Sequence, residues 1–207
     1  MVRQATSEDL KQVAAVHKTC FPESFSTALG EKLLVKFYAE YLQSVPELFL
    51  VAEEEGKICG FCMGYYCEEN PYMKRFFKHN LFAAGLRIAG QLLIGNKAAW
   101  RKFTSTFSKK AEFKPLGEEY KTGVQDGDLL SICVLPDTRG SGAAQELISA
   151  YEAVLKEHGR KNCILTVAVD NPRAIRFYER NGYVPFREAE GVARSYFKAL
   201  KSDTIHI

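Results

Sequence analysis

The stretch Ser131–Ala150, SICVLPDTRGSGAAQELISA, limits this chain more than any other. It reads as a short apolar strand over Leu129–Val134, a turn at Pro136-Asp137, and a helix opened by Arg139-Gly140-Ser141-Gly142-Ala143-Ala144. A helix start leaves its first N–H groups without intrahelical partners and carries the positive end of the peptide dipoles. Gly140 and Gly142 have no Cβ, so the turn can adopt positive φ and a ligand can approach the main chain. Two readings follow: a capped helix after a strand, or a cradle for a phosphate or diphosphate. Gln145 stands where a dinucleotide fingerprint needs its third glycine, and no Gly-Lys-Ser/Thr follows, so neither dinucleotide motif nor P-loop fits.

Two segments carry a resemblance. Val134–Ala144 resembles the acyl-CoA-binding motif of the GNAT superfamily of N-acetyltransferases, with Arg139, Gly142 and Ala144 matching its Arg/Gln-x-x-Gly-x-Gly/Ala pattern. Downstream, Asp170–Tyr183 (DNPRAIRFYERNGY) resembles that family's Asn-x-x-Ala-x-x-Phe-Tyr segment. The resemblance spans 129–186, is weaker over 1–66 and is absent over about 70–126. It implies an α/β fold with a mixed central sheet of about seven strands, a splayed parallel pair, and helices on both faces. It also implies acetyl-CoA as acyl donor and direct transfer to a primary amine of a small molecule, such as an amino sugar or a nucleotide-linked amino sugar.

The resemblance assigns roles by position. The main chain of Ile132, Cys133 and Val134 would hold the pantetheine arm, with a donor at about Val134 polarising the thioester carbonyl. The N–H groups over Gly140, Ser141, Gly142, Ala143, Ala144 and Gln145, beside Arg139, would hold the diphosphate. Asn171 would contact the cofactor, and Tyr178 would protonate the departing thiolate. Phe25 and Ser26, between the first two helices, and Glu68 and Glu69, at the end of the third strand, would border the acceptor. Thr166 stands where some members carry a glutamate base and cannot serve as one, which leaves Asp170, Glu68, Glu69, His79 or a water chain.

The remaining elements follow from local pattern. Val2–Ala5 reads as a strand, and Thr6 or Ser7 caps a helix with Leu10, Val13, Ala14, Val16 and His17 on one face. A second helix is expected over about Ala28–Leu42, with Leu29, Leu33, Phe37 and Tyr41 as its stripe. Phe49–Ala52 and Ile58–Tyr66 form a hairpin around Glu53–Lys57. The unalternating Asn162–Val169 fits a central strand parallel to 129–134. Asn171 caps a short helix with Pro172 at its first position, and Tyr183–Arg187 and Ser195–Leu200 form a final antiparallel pair.

Between 71 and 115 there are ten Lys and Arg against Glu112 alone, although the net charge of the 207 residues is only +3. This basic stretch, with apolar Leu81–Ile94 and Trp100, is expected to be a helical insertion at about 70–126 within a single domain. Its charge fits a solvated lid, a phosphate-bearing acceptor or weak contact with an anionic membrane surface, and it is also what a non-catalytic nucleotide-binding module would use to dock a partner. Nucleic acid is a poor match for so small a net charge. The six cysteines read as buried reduced thiols of a cytoplasmic protein, and Cys59-x-x-Cys62 lies in a strand with no zinc-spaced partners, so no metal is expected.

Overall fold

The computed structural model describes residues 1–67, 112–117 and 120–200. Among them, eight strands form one mixed sheet in the order β1-β2-β3-β5-β6-β8-β7-β4. The strands are β1 (Val2–Gln4), β2 (Phe49–Glu54), β3 (Lys57–Tyr66), β4 (Lys114–Pro115), β5 (Asp126–Val134), β6 (Asn162–Ala168), β7 (Val184–Ala189) and β8 (Ala193–Ala199). The helices are α1 (Leu10–Cys20), α2 (Phe25–Ala28), α3 (Glu31–Ser44), α4 (Ala143–Glu157) and α5 (Pro172–Arg180).

β3 shows how the layers assemble. Successive strand residues point to opposite faces. The Phe61 ring lies 6.3 Å from His17 of α1 and 5.6 Å from Tyr38 of α3, whereas the Cys62 thiol donates to Leu147 O of α4 at 3.6 Å. Helices therefore cover both faces, and Ile58–Gly64 is buried without alternation. Cys59 and Cys62, three apart on this strand, face opposite ways and share no site.

Glycines at two points permit close packing. A Cβ on Gly64 would overlap Asp128 O and the Tyr151 hydroxyl, at the place where the β3–β5 register slips. A Cβ on Gly127 would meet Leu155 of α4. Asp128, the next residue, thus turns to the face opposite α4.

Several expectations need correction. The mixed sheet expected at about seven strands is present with eight; the additional strand, β4, lies inside the segment read as a helical insertion and pairs with the β7 edge, Lys114 with Glu188 and Pro115 with Arg187. The described end of that segment is thus strand and loop, with Tyr120 stacked on Phe197 at 4.7 Å, while Leu81–Ile94 and Trp100 lie outside the described residues. The expected helix over 28–42 is two helices, because Gly30 at φ 87 interrupts the first and restarts the turn phase. The α3 stripe consequently falls on Leu34, Tyr38 and Tyr41, with Leu33 and Phe37 only half-buried. The β5 strand begins three residues before the expected Leu129.

Candidate active site

β5 and β6 run parallel only at their first residues, with Asp126–Leu129 opposite Asn162–Leu165. Beyond that point β5 keeps only β3 as a neighbour, and β6 keeps only β8. The result is a fork. Leu135 N–H donates to Cys59 O at 2.8 Å, so the antiparallel ladder turns the main chain of Cys133 and Ser131 toward β3 as well. By the same alternation Ile132 and Val134 direct their N–H and C=O groups into the fork. The Cys20 thiol donates to Val134 O at 3.3 Å, which confirms that this carbonyl faces inward.

The fork opens into a cavity of about 400 Å³ whose wall includes Cys20, Ile132, Cys133, Val134, Arg139 and Tyr178. A second cavity, of about 390 Å³, shares Val134, Gly140, Ala144, Phe177 and Arg180 with the first and reaches Gly142 and Gln145. Together they make one extended trough from the fork to the start of α4.

At that start Gly140 and Gly142 both have φ 95, and a Cβ at either would meet nothing within 4 Å. Glycine is required there by conformation rather than by space. Ser141 N–H turns back to Thr138 O at 3.3 Å, and Ala143 N–H donates to the Ser141 hydroxyl at 3.3 Å. No acceptor among the described residues takes the N–H groups of Gly140, Gly142, Ala144 and Gln145. The Gln145 side chain instead braces α5, donating to Asn181 Oδ1 at 2.6 Å. Four free donors at a helix N-terminus, with Arg139, Arg173 and Arg180 in the wall, suit an anion with several oxygens.

α5 supplies the opposite wall. Asn171 Oδ1 accepts from Ala174 N–H at 3.1 Å, and Pro172 follows it, so the helix starts where expected. Tyr178 projects into the cavity and is only 9% exposed. Burial pushes its phenol well above the ordinary value, which keeps it protonated across the physiological range. Arg173 and Arg180 stand seven apart, two turns along one helix face. Sequence reasoning missed them, although this i, i+7 pair of cations was legible.

The third residue that sequence reasoning missed is Asp128. It sits at the root of the fork, opposite Ile164 and one step before the last β5–β6 pair. The Tyr65 hydroxyl donates to its Oδ2 at 3.1 Å. Burial pushes its carboxyl up to about 6 against the opposing pull of Tyr65 and Arg187. Nothing in the sequence marked it, because Asp126 and Asp128 stand together at the start of β5 and only their surroundings tell them apart. By contrast, the neighbouring Asp126 is structural, accepting from Tyr120 Oη, Gly123 N and Asn162 Nδ2.

The other sequence candidates divide. Thr166 bonds Ser195 Oγ at 2.8 Å, and Ser195 Oγ accepts from Arg187 Nε at 3.2 Å, so Thr166 is engaged within the sheet. Asp170 is exposed in the turn before α5. Ser26 lies in α2 and does not line either cavity. The Phe25 side chain, Glu68, Glu69 and His79 lie outside the described residues. Of the six cysteines, Cys59, Cys62 and Cys163 are buried, whereas Cys20, Cys67 and Cys133 are half-buried, so the expectation of uniformly buried thiols fails for three. No helix among the described residues is long and apolar enough to cross a membrane.

Comparison with known proteins bears on this geometry. Residues 110–183 match the Acetyltransferase (GNAT) family, a span that includes β5, the glycine turn, α4, β6 and α5. A 61-residue stretch is 33% identical to N-alpha-acetyltransferase 30 of Schizosaccharomyces pombe, covering 30% of this chain and 41% of that relative's length. The fold is shared with PH1933 of Pyrococcus horikoshii at a TM-score of 0.61 and 13% identity, over 98% of this chain and 99% of that one. It is shared also with the PaiA N-acetyltransferase of Thermoplasma acidophilum, solved in complex with coenzyme A, at a TM-score of 0.55 and 16% identity, over 96% and 98%. The segment that matches the Acetyltransferase (GNAT) family thus lies on the fork and the glycine turn, and the sheet as a whole shares its fold with these solved structures.

Proposed function

We propose that this chain seats acetyl-CoA in the fork and trough and passes the acetyl group directly to a weakly basic primary amine. The observation that carries the reading is the fork itself: a β-strand edge left unpaired beside four unengaged N–H groups and three arginines. These features suit an extended donor with an amide-bearing arm and a diphosphate. Ile132, Cys133 and Val134 would pair with the arm through the main chain. Gly140, Gly142, Ala144 and Gln145 would donate to the diphosphate, with Ser141 and Ala143 shaping the turn and Arg139 adding charge. Asn171 would hold the α5 end of the trough. When bound, acetyl-CoA supplies the electrophilic thioester carbonyl.

This chain's own residues supply the rest. Val134 N–H, directed into the fork, stabilises negative charge developing on the carbonyl oxygen, and one preorganised donor of this kind contributes about 10²–10³ in rate. Tyr178 holds a proton at its Oη for the leaving sulfur. Asp128, poised near 6 at the root of the fork and outside the lining of both cavities, takes the proton from the incoming nitrogen through a relaying water. Its carboxyl is ionised at pH 7 and still basic enough to accept. No side chain is acylated in the productive cycle. In this reading residues 1–207 form a single catalytic domain.

An α-amino group, with a pKa of about 8, is roughly one-tenth neutral at pH 7, about a hundredfold more than a lysine-type amine. A base near 6 serves such an acceptor. Similarity to a relative named N-alpha-acetyltransferase favours a peptide N-terminus as the acceptor. An amino sugar, whose amine is also weakly basic, is the second reading, favoured by the ten cations between 71 and 115, which suit a phosphate-bearing substrate.

The test is thiol release by the purified chain with acetyl-CoA and a panel of peptides with free N-termini, amino sugars, polyamines and aminoglycosides. Release with a free peptide and none with its N-terminally blocked form supports the first reading, and release with amino sugars alone supports the second. Acetyl-CoA binding with no release to any amine would favour a non-catalytic module that docks a partner or an anionic membrane through the basic segment.

A further inference from the structure

Two cysteines meet in the wall of the cavity, and nothing in the transfer reaction uses their thiols. Cys20 is the last residue of α1, and Cys133 lies on β5 beside Val134. Cys133 pairs across the ladder with Phe61, whose ring lies 6.3 Å from His17, one turn of α1 before Cys20, so both cysteines stand on the α1 face of the sheet in one cavity wall. The neutral Cys20 thiol donates to Val134 O at 3.3 Å. Both residues are half-buried and line the 400 Å³ cavity along with Arg139 and Arg173.

We propose that Cys20 and Cys133 form a peroxide-sensitive dithiol whose oxidation to a disulfide closes the acyl-donor cavity. The pairing is a property of the two side chains. Its effect on the donor rests on the function proposed above.

The two thiols are unequal. The neighbouring Cys133 and the positive charge of Arg139 and Arg173 lower the Cys20 thiol below its ordinary value, against the effect of its burial. Burial and the neighbouring Cys20 hold Cys133 well above. Cys20 is therefore the attacking sulfur and Cys133 the resolving one. The Cys20 thiolate attacks one oxygen of hydrogen peroxide, the O–O bond breaks, and the departing hydroxide takes up a proton and leaves as water. Cys20 is now a sulfenic acid. The Cys133 sulfur then attacks the Cys20 sulfur. The S–S bond forms as the S–O bond breaks, and the leaving hydroxide carries off the Cys133 proton as a second water. In sum, two thiols and one peroxide give one disulfide and two waters. The other buried thiols, Cys59, Cys62 and Cys163, are raised by burial and take no part.

Two consequences close the cavity. The covalent link draws the α1 end onto β5 at the edge that would pair with the donor's arm. It also removes the thiol proton that Val134 O accepts, disturbing the peptide beside the proposed carbonyl donor.

The experiment treats the full chain with hydrogen peroxide, blocks remaining thiols and maps peptides by mass spectrometry without reduction. Acetyl-CoA is titrated calorimetrically before oxidation, after oxidation, and after dithiothreitol. The expected result is a Cys20–Cys133 linked peptide and an affinity loss of at least about tenfold, about 1.4 kcal/mol, reversed by dithiothreitol. Cys20→Ser and Cys133→Ser should each lose the response to peroxide, with Cys20→Ala in reserve if Cys20→Ser misfolds. Oxidised Cys20 without the link, or a link that leaves affinity unchanged, overturns the proposal. If the reduced protein fails to bind acetyl-CoA, the donor reading fails by itself. The linked peptide then still supports the dithiol, and its absence refutes it.

Discussion

Tyr65 and Asp128 face each other across β3 and β5, and the Tyr65 hydroxyl donates to Asp128 Oδ2 at 3.1 Å at the root of the fork. Burial wins over this hydrogen bond, so the carboxyl stands at about 6 rather than 3.8. Two opposite effects follow from one substitution. The fold favours the protonated form, so Asp128 contributes stability that is fully present below about pH 3.8 and lost as pH rises through about 6. Asp128→Asn should therefore raise the urea midpoint at pH 7.5 and leave it nearly unchanged at pH 4. The wild-type kcat/KM should climb through about pH 6 as the base ionises. The variant should lose that limb and about 10²–10⁴ in rate. A variant that keeps both rate and pH profile would remove Asp128 from the mechanism.

Tyr178 is assigned one proton, so Tyr178→Phe should lower kcat by about 10²-fold or more while acetyl-CoA affinity stays within about twofold. Single-turnover kinetics set beside calorimetry separate the two quantities. A matching loss of affinity would mean that the ring packs the cavity and that its hydroxyl carries no chemistry.

Gly142 caps α4 at φ 95 with open space around its missing side chain. Gly142→Ala forces an L-residue into a left-handed conformation, costing roughly 1–2 kcal/mol. It also turns the N–H groups of Gly142 and Ala144 off their common aim. The expected outcome is a lower Tm together with weaker acetyl-CoA binding. Gly159→Ala, also at positive φ, lies past the far end of α4 and should lower Tm without touching affinity.

His17 supplies a second pH dependence, of opposite sign to Asp128. Burial lowers its imidazole to about 4, and its two nitrogens meet Tyr38 Oη at 2.6 Å and Ser24 Oγ at 3.0 Å. The unfolded chain binds a proton near pH 6.5 that the folded chain refuses until about 4. Stability should fall as pH drops through that window, by on the order of 2 kcal/mol. His17→Gln should flatten this part of the curve in urea titrations at pH 7.5 and pH 5.

Much of this was legible in advance because it rests on local rules. Leu129–Ala144 announced strand, turn and helix, and the Asn171-Pro172 cap announced α5. The rest depends on contacts distant in sequence. β4 is two residues long, and only the β7 edge makes it a strand. The place of β8 between β6 and β7 is tertiary, since the two final strands read equally well in either order. Gly30 shifted the α3 stripe by one position, which periodicity across an assumed continuous helix could not register. Asp128 was invisible as a base because its character comes from burial at the fork, and the nearness of Cys20 to Cys133, 113 residues apart, comes from α1 docking on the sheet.

The central claim is that the fork and the glycine turn hold acetyl-CoA. Calorimetric titration of acetyl-CoA into the reduced wild-type chain, set beside Gly142→Ala, tests it most directly. Saturable one-to-one binding at micromolar Kd, about −8 kcal/mol, weakened at least about fivefold in the variant, is the result predicted here. No saturable binding to a folded wild-type protein, or binding indifferent to Gly142, would contradict it.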